Sequence, residues 1–237
     1  KEAGLPDGVF NLVNGGKEVV EAICDHPDIK AVSFVGSTKV AKIVYKRATS
    51  TLKRCVALGG AKNHLLVFPD ANPEMTASNV VASMSGCAGQ RCMAASVMVG
   101  VDKIQHIIDR MVEDAKQLIP GENLGSVISE AAKERIEGYI SEAEKNGAKI
   151  LLDGRNTTVA GKEGGFYVGP TIIDYVTTDM SVAREEIFGP VISIIRAKDL
   201  DEAIEIENGS NYGNAAAVFT QSGGLAKQVM ERASAGM

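Results

Sequence analysis

The chain has 237 residues, with 25 Lys and Arg against 30 Asp and Glu, which gives a formal net charge of -5. A hydrophobic fraction of 45% and a charged fraction of 23% are typical of a globular protein and exclude a disordered chain. The acidic balance, without a basic stripe, argues against nucleic-acid binding, and no apolar run reaches the roughly 18 residues that span a membrane.

Short strands alternate with amphipathic helices along the chain. Compact apolar runs predict strands at 31–35, 55–58, 65–68, 95–101, 149–152, 191–197 and 215–220. Apolar residues at three- and four-residue steps predict helices at 17–24, 39–47, 73–85, 104–119, 129–147, 200–207 and 225–233. This alternation favours an α/β protein with a mostly parallel sheet and helices on both faces.

Three of the predicted helices begin at residues suited to capping. Asn72 is followed by Pro73, which suits the first helical position because it lacks an N–H that the helix would leave unpaired. Ser129 and Asp199 each stand directly before an amphipathic segment. These residues predict where the helices start.

The cysteines show neither a metal-binding nor a disulfide pattern. They are Cys24, Cys55, Cys87 and Cys92, without a Cys-x-x-Cys pair, and the three histidines of the chain do not bracket them. We therefore expect no metal site and no disulfide framework, but reduced thiols. Cys24 and Cys55 lie in apolar helix or strand patterns, which favours buried, inert thiols.

Cys92 is the candidate nucleophile. It lies in the Gly-containing segment 86–94, where glycines leave the backbone free to approach a ligand. The neighbouring Arg91 places a cation beside the thiol, where it can lower the thiol pKa or orient an anionic substrate. The alternative for any single cysteine is an inert buried thiol, and Cys87 in the same turn stays ambiguous.

Three other segments each have a functional and an ordinary structural interpretation. Gly36-Ser37-Thr38 joins a strand to a helix and suits phosphate binding, but a plain N-cap is the more common use of this pattern. The segment 185–190, Glu-Glu-Ile-Phe-Gly-Pro, suits hydroxyl binding beside an aromatic ring, or is a solvated acidic turn. His64 at a strand entrance is interpreted as a structural hydrogen-bonding residue.

Taken together, these segments resemble the aldehyde dehydrogenase superfamily over essentially the whole chain. The matching residues are Phe34-Val35-Gly36-Ser37-Thr38, Leu58-Gly59-Gly60, Gly89-Gln90-Arg91-Cys92, Phe166-Tyr167-Val168-Gly169-Pro170-Thr171 and Glu185-Glu186-Ile187-Phe188-Gly189-Pro190-Val191. Within that superfamily, the segments 60–64, 89–94 and 152–155 are similar to the CoA-acylating malonate and methylmalonate semialdehyde dehydrogenases.

The resemblance implies a role for each matching residue. Cys92 would attack the aldehyde and become a thioester after hydride transfer to NAD, and Arg91 would bind the substrate carboxylate. The residues implied to hold NAD are Gly36, Ser37, Gly59, Glu186 and Phe188. The implied enzyme oxidises malonate or methylmalonate semialdehyde, without a metal, and passes the acyl group to CoA.

One position departs from the hydrolytic members of the family. They carry a water-activating Glu directly before Leu-Gly-Gly, whereas this chain has Ala57 before Leu58-Gly59-Gly60. Water needs such a base, but a thiol attacks thioesters with less help, so Ala57 favours CoA as the acyl acceptor. The alternatives are a hydrolytic NAD(P)-dependent aldehyde dehydrogenase and a non-catalytic truncated homologue.

The resemblance also implies how the chain is divided into domains. We expect a division at Gly59-Gly60, with 1–60 as the C-terminal part of an NAD-binding domain and 61–237 as a catalytic domain. Family members extend beyond both ends, so we expect the chain to be a fragment. Its parent is expected to be a homodimer or homotetramer in the cytoplasm, or in the mitochondrial matrix of a eukaryote, without nucleic-acid or membrane partners.

Overall fold

The computed structural model describes residues 2–237, and its backbone divides into two compact units, Lys1–Gly60 and Ala61–Met237. Each unit is built from strands that alternate with helices, as the hydrophobic periodicity predicts. The roles expected for the two units, a cofactor-binding part and a catalytic part, stay predictions.

The first unit contains a parallel pair of strands. Its elements are α1 Lys17–Asp25, β1 Ala31–Val35, α2 Thr38–Ser50 and β2 Arg54–Leu58. The two strands pair along their whole length. Cys24 of α1 packs with Val44 and Ala48 of α2 in a small apolar core.

The second unit contains a larger sheet with its own helices. Its strands, all within the described residues, are β3 Asn63–Val67, β4 Ala95–Val101, β5 Lys149–Leu152, β6 Thr171–Asp174, β7 Val191–Ala197 and β8 Ala216–Phe219. Its helices are α3 Pro73–Ser85, α4 Gln105–Ala115, α5 Glu130–Lys145, α6 Ser181–Arg184, α7 Leu200–Asn208 and α8 Gly223–Arg232. Among the helices of residues 2–237, none has the length and apolar character needed to cross a membrane.

The strands of this sheet lie in the order β5-β6-β7-β4-β3-β8. Only β5 runs antiparallel to its neighbour, and the other described pairs are parallel. Apolar side chains of α3 and α4 pack on one face, and those of α5, α7 and α8 pack on the other. The predicted α/β fold with a mostly parallel sheet and helices on both faces is therefore confirmed.

The predicted helix starts are also confirmed. The side chain of Asn72 accepts a hydrogen bond from the amide of Met75, with Pro73 at the first helical position. Ser129 and Asp199 accept in the same way at the starts of α5 and α7. Each cap satisfies a backbone N–H that has no partner inside its helix.

Two features differ from the sequence prediction. α4 ends at Ala115 rather than at 119, because Leu118 and Ile119 belong to a turn. There the side chain of Asn123 accepts from the amide of Ile119 at 2.6 Å and donates to the carbonyl of Gln117 at 3.0 Å. The sequence analysis also missed β6 and α6, which have four residues each, too few to show a clear hydrophobic period.

A buried ion pair joins β6 to β7. Asp174 is 1% exposed, and its Oδ2 lies 2.6 Å from Nη2 of Arg196. Nε of Arg196 donates to Oδ1 of the same carboxylate at 3.1 Å, so the pair is bidentate. The guanidinium also lies 5.1 Å from the ring centroid of Tyr175, a cation–π distance.

Burial should decide how much this pair contributes to stability. We expect Asp174→Asn to lower the free energy of unfolding by about 2 kcal/mol, because it leaves Arg196 without its counter-charge in a partly buried site. Asp201→Asn is the matched control, since Asp201 lies at the same 2.6 Å from Nη2 of Arg232 but its side chain is 81% exposed. Urea unfolding should show almost no change for the control. Equal losses would contradict the role of burial.

Candidate active site

A narrow cleft lies at the edge of the sheet where β3, β4 and β7 begin. These strands are parallel neighbours, so the segments that lead into them meet at one edge. The cleft is lined by Ala61, Asn63, Gly89, Arg91, Cys92, Ala94, Ala95, Ser96, Glu186, Ile187, Phe188 and Gly189. The structure therefore brings together four residues singled out from the sequence, Cys92, Arg91, Glu186 and Phe188, whose roles stay predictions.

A strained turn leads from α3 to Cys92. The turn Gly86–Gly89 is a short 3₁₀ segment in which Cys87 and Ala88 adopt left-handed backbone conformations, both with φ of 53°. Phe188, another residue of the cleft, has φ of 54°. Such conformations cost about 1–3 kcal/mol each for non-glycine residues and are concentrated at functional sites. Their presence here supports a functional cleft.

Direct backbone packing holds this turn against the segment that enters β7. Gly89 has φ of +72°, and a Cβ atom on it would lie 2.0 Å from the carbonyl oxygen of Gly189. Gly189 has no room for a side chain either, because its Cβ would lie 2.6 Å from Cδ1 of Ile136. The approach of the two backbones fixes Cys92 relative to Glu186 and Phe188.

Two asparagine side chains hold the backbone at Cys92. Nδ2 of Asn63 donates to the carbonyls of Cys92 and Ala94, each at 2.8 Å, and Nδ2 of Asn214 donates to the Cys92 carbonyl at 3.0 Å. The sequence analysis missed both roles. Asn63 and Asn214 are 29 and 122 residues away from Cys92, so no local pattern marks them.

The thiols differ in accessibility. Cys87 and Cys92 are exposed, whereas Cys55 is half-buried and Cys24 is buried. Burial raises the pKa of the Cys24 thiol, which keeps it protonated and unreactive, in line with the sequence interpretation. Of the two exposed thiols of the described chain, Cys87 thus lies in the turn and Cys92 lines the cleft.

Arg91 contacts the end of α3 rather than a carboxylate. Its Nη2 donates to the carbonyls of Ser83 at 2.8 Å and Ala82 at 3.3 Å, where a cation is favoured by the helix dipole. Nε and Nη1 make no hydrogen bond with the described residues. Arg91 is therefore anchored through one nitrogen and keeps other donors for an anion.

Glu186 is held by a backbone amide at the entrance to β3. Its Oε1 accepts a hydrogen bond from the amide of Ala61 at 3.2 Å, and its side chain is half-buried. Within residues 2–237, Oε2 has no hydrogen-bond donor. The carboxylate is thus anchored at one oxygen and open at the other.

Two titratable residues beside the cleft are buried. Burial lowers the pKa of Lys62 to about 7, against the opposing effect of Glu186 and Glu185. Burial also lowers the pKa of His64 to about 4, and its Nδ1 lies 3.0 Å from the carbonyl oxygen of Lys62, which fits a structural histidine. Among the described residues, no three or more His, Cys, Asp or Glu side chains are grouped to hold a metal ion.

The first unit contains the remaining predicted cofactor residues, Gly36, Ser37 and Gly59. Ser37 precedes α2 as its N-cap residue, but its hydroxyl makes no capping hydrogen bond. The hydroxyl of Thr38 instead accepts from the amide of Gly60 at 3.1 Å. A Cβ on Gly59 would lie 2.9 Å from that oxygen, so the Gly59 backbone passes close to the turn. A phosphate-binding role for the turn stays a prediction.

The fold and the cleft agree with one class of enzyme. The model of the "Aldehyde dehydrogenase family" matches residues 1–237 of this chain. The chain belongs to the aldehyde dehydrogenase family, and the superfamily predicted from five ordered segments is confirmed.

Several individual members of this family are similar to the chain. The chain is 46% identical, over 244 residues, to malonate-semialdehyde dehydrogenase 2 of Bacillus thuringiensis (strain Al Hakam), covering 100% of this chain and 50% of that protein. One similar crystal structure is named for a methylmalonate-semialdehyde dehydrogenase of Sinorhizobium meliloti 1021 complexed with NAD. Its sequence is 41% identical to this chain, and the two structures superpose with a TM-score of 0.93. The match covers 98% of this chain and 49% of that one. The methylmalonate-semialdehyde dehydrogenase DddC from Oceanimonas doudoroffii gives the same values. The chain spans about half the length of the curated relatives it matches.

The contact between Gly89 and Gly189 can be tested by adding one methyl group. We expect Gly89→Ala to lower the free energy of unfolding by at least about 3 kcal/mol, because the Cβ meets a backbone oxygen and the residue must keep a positive φ. Gly138→Ala is the control, since a Cβ there meets nothing within 4 Å on helix α5. Denaturant unfolding should find the control slightly more stable than the unmodified protein. Similar stability of the two variants would show that the backbones do not pack closely.

Proposed function

We propose that this chain carries the catalytic thiol, and part of the cofactor site, of an NAD-dependent malonate or methylmalonate semialdehyde dehydrogenase that transfers the acyl group to CoA. The observation that carries the proposal is the cleft in which Cys92, Arg91 and Glu186 lie together. The names of the similar proteins support the substrate class.

The proposed nucleophile is the Cys92 thiol, which is exposed beside the cleft. A new bond joins its Sγ to the aldehyde carbon, while the carbonyl oxygen takes up a proton, to give a thiohemiacetal. Loss of a hydride from that carbon and of the proton from that oxygen leaves a thioester on Cys92. The hydrogen bonds from Asn63 and Asn214 to the Cys92 carbonyl restrict the backbone that carries the sulfur.

NAD supplies the hydride acceptor when it is bound. The open Oε2 of Glu186 fits a hydrogen bond from a ribose hydroxyl, and Phe188 offers a partly exposed ring beside it. In the first unit, the uncapped start of α2 at Ser37, after Gly36, fits a pyrophosphate because of its free backbone N–H groups and positive dipole end. Gly59 packs directly against Thr38 of this turn, since a Cβ on Gly59 would lie 2.9 Å from the Thr38 hydroxyl oxygen.

Arg91 is the residue proposed to bind the substrate carboxylate. It stands next to Cys92, and its Nε and Nη1 are not used by the described residues. A guanidinium pairs with a carboxylate through two parallel hydrogen bonds, which orients the aldehyde end as well as binding the acid end. Anchoring of Nη2 on α3 limits the positions that the guanidinium can take.

CoA is the proposed acyl acceptor because Ala57 occupies the sequence position, directly before Leu58-Gly59-Gly60, at which hydrolytic family members carry their water-activating Glu. The CoA sulfur forms a bond to the acyl carbon, and Sγ of Cys92 leaves as a thiolate, so the enzyme is regenerated. The predicted homodimer or homotetramer and the predicted cytoplasmic location of the parent protein stay predictions.

The order of product formation tests this mechanism. With the full-length gene product, semialdehyde and NAD, we expect a rapid burst of NADH equal to the amount of enzyme, followed by slow turnover until CoA is added. Cys92→Ser should remove the burst, whereas Cys87→Ser, the matched control with an exposed thiol in the same segment 86–94, should keep it. Stopped-flow absorbance measures the burst, and mass spectrometry locates the thioester.

Two outcomes would contradict the proposal. Fast steady-state turnover without CoA would indicate a hydrolytic aldehyde dehydrogenase, despite Ala57. A burst that survives Cys92→Ser but not Cys87→Ser would move the nucleophile to the neighbouring thiol.

Substrate selection tests Arg91 separately. We expect Arg91→Leu to lower kcat/KM for the semialdehyde about ten- to a hundred-fold more than for a neutral aldehyde of the same length, since a charge-assisted hydrogen bond is lost. Arg110→Leu on α4 is the control, because Arg110 pairs with Asp114 on its own helix. Equal losses for both substrates would assign Arg91 to the thiol or to the turn instead.

A further inference from the structure

Lys62 is a buried cation without a partner. It is 2% exposed, and its Nζ makes no hydrogen bond, one of two buried side-chain polar atoms of this kind in the described chain. Buried ammonium groups are normally paired, because an uncompensated charge in the interior is costly. Its neighbours Ala61 and Asn63 line the cleft, whereas Lys62 does not.

The charges that act on Lys62 come from the segment that leads into β7. Glu186 and then Glu185 are the anions that favour its charged form, although the ammonium has no hydrogen-bond partner among the described residues. His64, whose Nδ1 faces the Lys62 carbonyl, is the other titratable group nearby, and the charge of Lys62 helps to lower its pKa. Buried charges are only weakly screened, so attraction persists over such distances.

The same segment also holds Glu186 directly. The amide of Ala61, the residue before Lys62, donates to Oε1 of Glu186 at 3.2 Å. A carboxylate accepts a strong hydrogen bond from a backbone amide, and a nearby positive charge attracts the same carboxylate. The Ala61 amide and the Lys62 ammonium thus draw the same carboxylate towards the start of β3.

Stability does not account for a lysine at this position. Replacing a buried charged group by an apolar one of similar shape is often neutral or stabilising, and this ammonium has no hydrogen bond to lose. We propose that Lys62 is a positioning residue. Its buried ammonium keeps the Glu186 carboxylate on the Ala61 amide and so determines how strongly Glu186 binds the nicotinamide ribose. This inference rests on the proposed role of Glu186 in NAD binding.

The proposal has a consequence for pH. Since burial lowers the pKa of Lys62 to about 7, Lys62 is charged at pH 6 and largely neutral at pH 8.5. His64 stays neutral over this range, because its pKa is lowered to about 4. NAD binding should therefore weaken as pH rises through about 7, because Glu186 and Glu185 lose the attraction of the Lys62 charge.

Lys62→Met tests the proposal in the full-length gene product. Calorimetric titration with NAD should give a Kd that rises at least about five-fold from pH 6 to pH 8.5 in the unmodified protein. In Lys62→Met the Kd should be high at both pH values, with an unfolding temperature equal to or above that of the unmodified protein. Lys62→Arg, which stays charged over this pH range, should bind NAD tightly at both pH values.

A double-mutant cycle identifies the carboxylate. If Lys62 acts through Glu186, then Lys62→Met should change the NAD affinity little in a Glu186→Gln background but fully in a Glu185→Gln background. Additive effects with Glu186→Gln would overturn the proposal, as would an NAD affinity that does not depend on pH in the unmodified protein. A lower unfolding temperature with unchanged NAD affinity in Lys62→Met would assign it a structural role instead.

NAD binding and semialdehyde turnover are measured independently, so the role of Lys62 and the proposed activity can be tested separately. Calorimetry measures NAD binding without any turnover, so a protein that binds NAD but oxidises no semialdehyde would refute the proposed activity and still decide the role of Lys62. A full-length protein that does not bind NAD would overturn both.

Discussion

The candidate site depends on parallel strands that begin at one edge of the sheet. β7, β4, β3 and β8 are consecutive neighbours, and burial of their apolar side chains on both faces sets their register. A shift by one residue would turn the buried side chains of each strand to the other face. The register therefore places Asn63, the first residue of β3. It also places the segments that precede β4, β7 and β8, which carry Cys92, Glu186 and Asn214.

The edge at which the cleft lies is unusual for an open α/β sheet. Ligands of such sheets are generally bound beyond the carboxyl ends of the strands. Here the cleft is formed at the amino ends, from Ala61, the turn before β4 and the segment before β7. The backbone contact between Gly89 and Gly189 replaces the side-chain packing that would otherwise separate two such segments. General rules for the fold class would thus point to the opposite edge.

Local sequence patterns predict the elements better than the site. The β-branched run of β7 and the capping residues Asn72 and Asp199 act over a few residues, so their signals are visible in the sequence. The hydrogen bond from Asn214 to Cys92 and the charge interaction of Lys62 with Glu186 instead join residues more than a hundred positions apart, so no local pattern indicates either one. For Glu186 the local pattern alone favoured a solvated turn, and only the family resemblance indicated a role. Contacts of high sequence separation therefore limit what the sequence predicts.

Because the cleft lies at the amino edge of the sheet, the carboxyl edge contributes none of the residues that line it. The turn after β4, for example, reaches the surface at Asp102, which is exposed and lies at the far end of the strand from Cys92. Exposed turns of this kind tolerate inserted residues far better than buried segments do. A fluorescent reporter or an affinity peptide placed between residues 102 and 103 would be separated from the thiol by the length of β4. The strand polarity thus provides an attachment point for engineering at the edge of the sheet opposite to the cleft.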